Sequence, residues 1–162
     1  MILKGKNVEL IPVLGWEDWE YIFKLAKAHD NRLTGEMIVR EAMEDGFQFY
    51  IGYHEGQRGG VVFAKHYRDG LSLDAYCELK GRAALSLEAG HLMLEHLLKF
   101  TSVVYVRIER GDLKLHRLCK ALGLKWHHQE KSRDVYAQKK EEYTSFNWDT
   151  NCNQSFAENT RV

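Results

Sequence analysis

The sequence predicts an α/β (α+β) fold: a mixed, mainly antiparallel sheet with helices on both faces. Three observations carry this. Periodic segments follow in the order strand, two helices, three strands, helix, strand, helix, two strands, which layered packing turns into a sheet covered on both sides. The apolar segments from Phe47 to Cys77 are separated by two tight connections, the pattern of an antiparallel meander. The segment Ala83–Phe100 is helical in spacing and apolar on most sides, so it belongs against a sheet.

Taken in order, Val8–Val13 alternates weakly and reads as a strand closed by Pro12, the single proline of the chain. Trp16–Ala28 has helical spacing, with Trp16, Trp19, Ile22, Phe23 and Ala26 on one face and Glu17, Glu20, Lys24 and Lys27 on the other. His29–Leu33 is a polar break before a shorter helix, Gly35–Asp45, with Met37, Ile38 and Ala42 inward. Phe47, Phe49, Ile51 and Tyr53 alternate as a half-buried strand. The six residues from Glu55 to Gly60 connect it to a return strand, Val61–His66, and Asp69-Gly70 turns into a fourth strand, Leu71–Cys77. In the long helix, Glu88, His91, Glu95 and Lys99 make one polar stripe that reads as solvated, and Gly90 implies a close approach to a neighbouring backbone. His127-His128 reads as one ring on each face of a late strand.

One domain over residues 1–142 accounts for all of these elements, and 162 residues are enough to bury a sizeable core. Residues 143–162 change character. They are polar and aperiodic but hold Phe146, Trp148 and Phe156, which suits strapping onto the body or onto a protein partner. Acidic and basic residues balance at 23 each, which argues against a general affinity for nucleic acid and leaves only a local basic patch open. Cys77, Cys119 and Cys152 are too few and too scattered for a disulfide framework, so a reducing, cytoplasmic setting is expected. No apolar run reaches the roughly 20 residues of a membrane span. No paired-cysteine or spaced-histidine pattern suggests a metal.

The most informative stretch runs from Arg107 to Trp126. The fifth strand, Val103–Ile108, ends at Gly111-Asp112. Asp112 then caps a helix carrying Leu115, Leu118, Cys119 and Leu122 on one side, and Gly123 stops it. A helix N-terminus beside a strand end is a place for an anionic ligand.

With these residues the chain resembles the GNAT N-acetyltransferases over roughly residues 3–140. The resemblance implies a sheet that parts between the fourth and fifth strands, Tyr76–Leu79 against Val104–Ile108. It also implies acetyl-CoA, or another acyl-CoA, as cofactor. In that family a loop of the form Arg/Gln-x-x-Gly-x-Gly/Ala holds the pyrophosphate; here it is Lys80-Gly81-Arg82-Ala83-Ala84-Leu85. Lys80 keeps the basic position, Ala83 replaces the first motif glycine, and Leu85 crowds the last. Backbone at Cys77 and Leu79, the loop from Lys80 to Ala84, and Asp112 are the implied cofactor contacts. The family's proton-donating tyrosine near a Gly-Phe pair corresponds to Cys119 ahead of Gly123-Leu124, although the habits of cysteine favour a core role there.

Acyl transfer to an amine needs a deprotonated amine, a polarised thioester carbonyl and a proton for the leaving thiolate. Glu78, near the end of the fourth strand, is the first candidate base, followed by Tyr76 and Glu109. Lys114, Arg117, Lys120 and Lys125, with Arg107 and Arg110, would form a basic rim if they converged with Lys80 and Arg82. The run Gly111-Asp112, His116-Arg117-Leu118-Cys119-Lys120 and Gly123 also resembles GNAT-like proteins of tailed bacteriophages, including podophage internal virion proteins. It differs from them in having Asp112 for asparagine and His116 one place late. That kinship implies host cytoplasm and two readings: an N-acyltransferase with an unknown amine-bearing acceptor, or a catalytically silent morphogenesis or binding protein.

Overall fold

The computed structural model describes residues 1–30, 32, 34–44, 48–78 and 83–145. Among them the expected elements appear in the expected order, preceded by one short extra strand. They are β1 (Leu3–Lys4), β2 (Glu9–Pro12), α1 (Trp16–His29), α2 (Gly35–Glu44), β3 (Gln48–His54), β4 (Gln57–Tyr67) and β5 (Gly70–Cys77). Then follow α3 (Ala83–Leu97), β6 (Val103–Glu109), α4 (Leu113–Ala121), β7 (Lys125–Glu130) and β8 (Arg133–Lys139). The expectations at Phe47 and Asp45 and for the inward side chain of Ala42 lie outside the described residues. With β1 added, the fourth and fifth strands of the sequence are β5 and β6.

The strands form one sheet in the order β1-β2-β3-β4-β5-β6-β8-β7. Every neighbouring pair is antiparallel except β5 and β6. That parallel pair is joined by α3, as a crossover between parallel strands requires. Helices cover both faces. Leu87, Met93, Leu94 and Leu97 of α3, with Cys119 of α4 and Leu122 after it, pack on Leu10, Ala64, Leu73, Val104, Ile108 and Tyr136. On the opposite face Ile22, Leu25 and Ala26 of α1 and Ile38 of α2 pack on Phe49, Ile51, Val61 and Phe63.

The turns depart from expectation in detail. The first hairpin loop is only Glu55-Gly56, both at positive φ, so β4 starts four residues earlier than its apolar pattern. The second turns on Arg68, with φ 50°, and Asp69, and Gly70 already belongs to β5. A Cβ on Gly70 would collide with the Val103 carbonyl, so glycine here allows β5 to approach the start of β6. Gly123, at φ 84°, ends the α4 segment as the sequence indicates. Gly90 faces the Leu122 side chain rather than a neighbouring backbone.

Several polar and aromatic residues exchange the environments that periodicity assigns them. Glu88 and His91, expected in a solvated stripe, are 1% and 3% exposed. The Glu88 carboxylate accepts the backbone N–H groups of Asn7 (2.8 Å) and Val8, tying α3 to the chain between β1 and β2. Burial lowers the His91 imidazole to about 4. Its Nδ1 lies 3.2 Å from the Tyr143 hydroxyl, which donates to Glu95 at 3.1 Å. The first residue of the tail is thus fastened to α3; the tail from Phe146 onward lies outside the described residues. Conversely, Trp16, Met37 and Leu115 are exposed, and Trp126 is exposed on an edge strand. A register shift between Trp126 and His128 breaks the alternation there, so the His127 and His128 rings meet, Nδ1 to Nδ1 at 2.6 Å, instead of pointing apart.

Removing the Glu88 carboxylate leaves two backbone donors without their acceptor and opens a cavity beneath α3. Glu88→Ala is expected to cost about 2–4 kcal/mol in urea unfolding, and Glu88→Gln, which keeps one acceptor oxygen, less.

Candidate functional site

The site is a fork in the sheet. β5 and β6 pair at only two positions, Leu71 with Val104 and Ser72 with Tyr105. Beyond them the strands part, yet each stays paired on its outer side: β5 with β4 up to Cys77, and β6 with β8 up to Glu109. The expected parting is therefore present. Val104, placed in it from the sequence, belongs to the joined base, and the open limbs are Leu73–Cys77 and Val106–Glu109.

Backbone alternation fixes what the fork presents. The Glu78 N–H donates to the Gly59 carbonyl at 3.0 Å, toward β4. Because successive residues of a strand direct their N–H and C=O groups to opposite sides, Ala75 and Cys77 direct theirs toward β6, past the last bridge. The side chains of Ala75 and Cys77 are exposed although β5 is an interior strand, so a groove runs there along the face that carries α3. The Cys77 Sγ lies 3.8 Å from the Ser86 Oγ in the first turn of α3. The groove therefore leads to a helix N-terminus, where unpaired N–H groups and the helix dipole favour an anion. Small side chains, inward-turned amides and a helix start thus line one path.

Of the residues singled out from the sequence, Leu79, Lys80, Gly81 and Arg82 lie outside the described residues. Ala83 and Ala84 open α3, while Leu85 packs against the core beneath the helix instead of crowding the groove. Asp112 caps α4 through the Leu115 N–H at 3.2 Å. Cys119 is 2% exposed within the core, and burial pushes its thiol up to about 12, which agrees with the core reading. Lys114 and Lys120 are exposed on α4, but Arg107 does not join them. It shares the opposite sheet face with Tyr105, and its guanidinium lies 4.8 Å over the Tyr67 ring.

That opposite face carries the acid–base groups. Glu78 accepts the Tyr21 hydroxyl of α1 at 2.8 Å. Burial and this carboxylate raise the Tyr21 phenol well above its usual range. Arg58 pairs with Asp18 at 2.9 Å and lies 5.8 Å from the Tyr21 ring, steadying the side chain that holds Glu78. Tyr76 stacks toward His29 (5.0 Å) and Phe63 (5.3 Å). Sequence reasoning missed Asp74. It stands one pleat from Tyr76, opposite Phe63, and burial raises its carboxyl above the ordinary range despite the opposing charges of Lys65, Arg107 and Arg133. The available signal was a lone acid in the middle of an apolar strand. Glu109 instead pairs with Arg133 at 2.9 Å. Among the described residues, no cluster of histidine, cysteine or carboxylate has the geometry of a metal site, and no helix is long and apolar enough to cross a membrane.

No protein-family model and no curated protein matches the sequence. Solved structures do match. FdhC, a nucleotide-linked sugar GNAT, aligns with a TM-score of 0.71 at 14% identity, over 87% of this chain and 91% of that one. A GNAT-family acetyltransferase from Bacillus anthracis gives 0.69 at 14%, over 88% and 100%. The N-acetyltransferase PseH from Campylobacter jejuni gives 0.64 at 14%, over 83% and 99%, and its complex with acetyl coenzyme A aligns equally well. This chain has the GNAT fold.

A carboxyl raised in the folded state is harder to ionise there than in the unfolded chain. Asp74 therefore lowers stability as pH rises from its unfolded value near 3.8 toward its folded one. Asp74→Asn is expected to melt above the wild type at pH 7, with the gap closing below that unfolded value. Thermal melts across pH check this.

Proposed function

We propose that this chain, built on the GNAT fold, is an acyl-CoA-dependent N-acyltransferase that transfers an acetyl group to an amine of a protein, small molecule or modified base. The observation that carries the reading is the fork: two central strands parted after two bridges, with inward-turned amides on one limb and a helix start at its end. Acetyl-CoA, when bound, supplies an activated acyl thioester. Backbone at Ala75, Cys77 and Leu79 would hold it along β5, and the segment Lys80–Ala84, with Asp112 across the opening, would face its phosphates. An amide N–H of β5 directed into the fork polarises a carbonyl laid against it.

The acceptor comes from the α1/α2 face, because the other face is taken by the groove. Glu78, positioned by Tyr21, removes the proton that the attacking amine must lose, and Tyr76 lines its approach. Asp74 is a second carboxyl within the same face, raised above its ordinary value by burial.

A second reading has its own support. Cys119, in the place of the family's tyrosine, is sealed in the core with its thiol raised to about 12, and Ala83 replaces a motif glycine. These features suit a catalytically silent protein of phage origin, acting in the host cytoplasm through a partner docked on residues 143–162.

Thermal melting separates the readings. At about 1 mM acetyl-CoA the acyltransferase shows a raised melting temperature, since a ligand of the native state stabilises it by mass action. Thiol release from acetyl-CoA over an amine panel then falls by about 10²–10⁴-fold in Glu78→Gln, while the melting shift persists. An unmoved melting curve favours the silent protein.

A further inference from the structure

On the α1/α2 face the charged side chains around the fork are nearly all spoken for. Arg133 pairs with Glu109 at 2.9 Å, and Arg68 with Glu130 at 3.6 Å. Glu130 also takes the Tyr67 hydroxyl and lies 3.0 Å from the His128 Nε2. The Tyr105 hydroxyl donates to Asp69. Arg107 differs. Among the described residues its Nε is buried without a hydrogen-bond partner and no ion pair engages its guanidinium; the charges of Asp74 and Glu130 reach it only at longer range. The Tyr67 ring supports the cation from one side and offers its edge-on donors no acceptor.

Position gives this vacancy a meaning. Arg107 lies two residues past the last bridge of β6, on the face where Glu78, Asp74 and Tyr76 stand. A guanidinium pre-set on an aromatic face, with a buried donor to spare, is suited to a planar two-oxygen anion. Leaving that donor unmet is unfavourable, and an arriving acceptor oxygen relieves it.

We propose that Arg107 is a specificity-determining residue that binds an anionic group, carboxylate or phosphate, on the amine acceptor. The acceptor is then an amine whose own molecule carries a negative charge on the side away from the α3 groove. This rests on the acyltransferase reading for the word acceptor, but the anion site is testable without it.

The full chain is titrated with inorganic phosphate and, separately, with acetate, while the Nε–H resonance of Arg107 is followed by ¹⁵N–¹H NMR. Its assignment comes from its loss in Arg107→Lys. A saturable shift under either anion, with chloride at equal ionic strength silent, is the expected result. The stronger of the two indicates a phosphorylated or a carboxylated acceptor. In thiol-release assays, phosphoethanolamine is then preferred over ethanolamine, or glycine over glycinamide. Arg107→Met raises KM for the charged member by about tenfold or more with little change in kcat, and Arg107→Lys recovers part of the loss. A resonance that neither anion moves overturns the proposal. Anion binding with an unmoved acetyl-CoA melt sinks the acyltransferase reading alone; a moved melt with no anion response sinks this inference alone.

Discussion

The structure depends on a conflict in one sheet. Backbone groups of an interior strand normally find partners on both sides. β5 and β6 satisfy this for two bridges and then abandon each other while keeping their outer neighbours. The outer ladders hold each limb, so the fork does not depend on its own contacts to stay open. At its base the limbs are pinned by the close approach that Gly70 allows over Val103. The consequence is a slot in an otherwise continuous sheet, lined by main-chain amides that have been aimed but not fully used.

That slot divides the molecule's chemistry between two faces. Toward α3 it is lined by small side chains, Ala75 and Cys77, and ends at a helix start. Toward α1 and α2 it is lined by ionisable groups: Glu78 held by Tyr21, Asp74 raised by burial, and Arg107 over Tyr67. Side chains alternate along each strand, so one strand serves both faces without the two sets meeting. Elsewhere, buried polar groups work as fasteners. Glu88 joins α3 to residues 80 or more positions away, and the His91–Tyr143–Glu95 chain secures the end of the described structure to the same helix.

The fold was legible because strong periodicity and turn chemistry agree at almost every element. Asp112 and Gly123 bracket α4 as cap and stop, and the meander from β3 to β5 follows its alternating apolar residues. The two-residue β1 was not legible: a strand that short has no period to detect, and it exists because β2 gives it an edge. The polar stripe of α3 misled, because a periodic pattern reports which residues share a face and not whether that face meets water. Glu88 and His91 share a face that is covered by the β1–β2 segment and by Tyr143.

By itself the sequence determined the order of elements and Glu78 as a carboxylate near the end of the fourth strand, while the parting of the strands came from the resemblance those elements carry. Local spacing and turn residues encode the order of elements directly. Only the tertiary structure decided where the strands part, which face each charge occupies, that Arg107 leaves the basic rim for the opposite side, and that desolvation raises the Asp74 carboxyl on that same face. Those properties depend on side-chain alternation counted from a pairing register and on neighbours distant along the chain. Neither is written in any one segment.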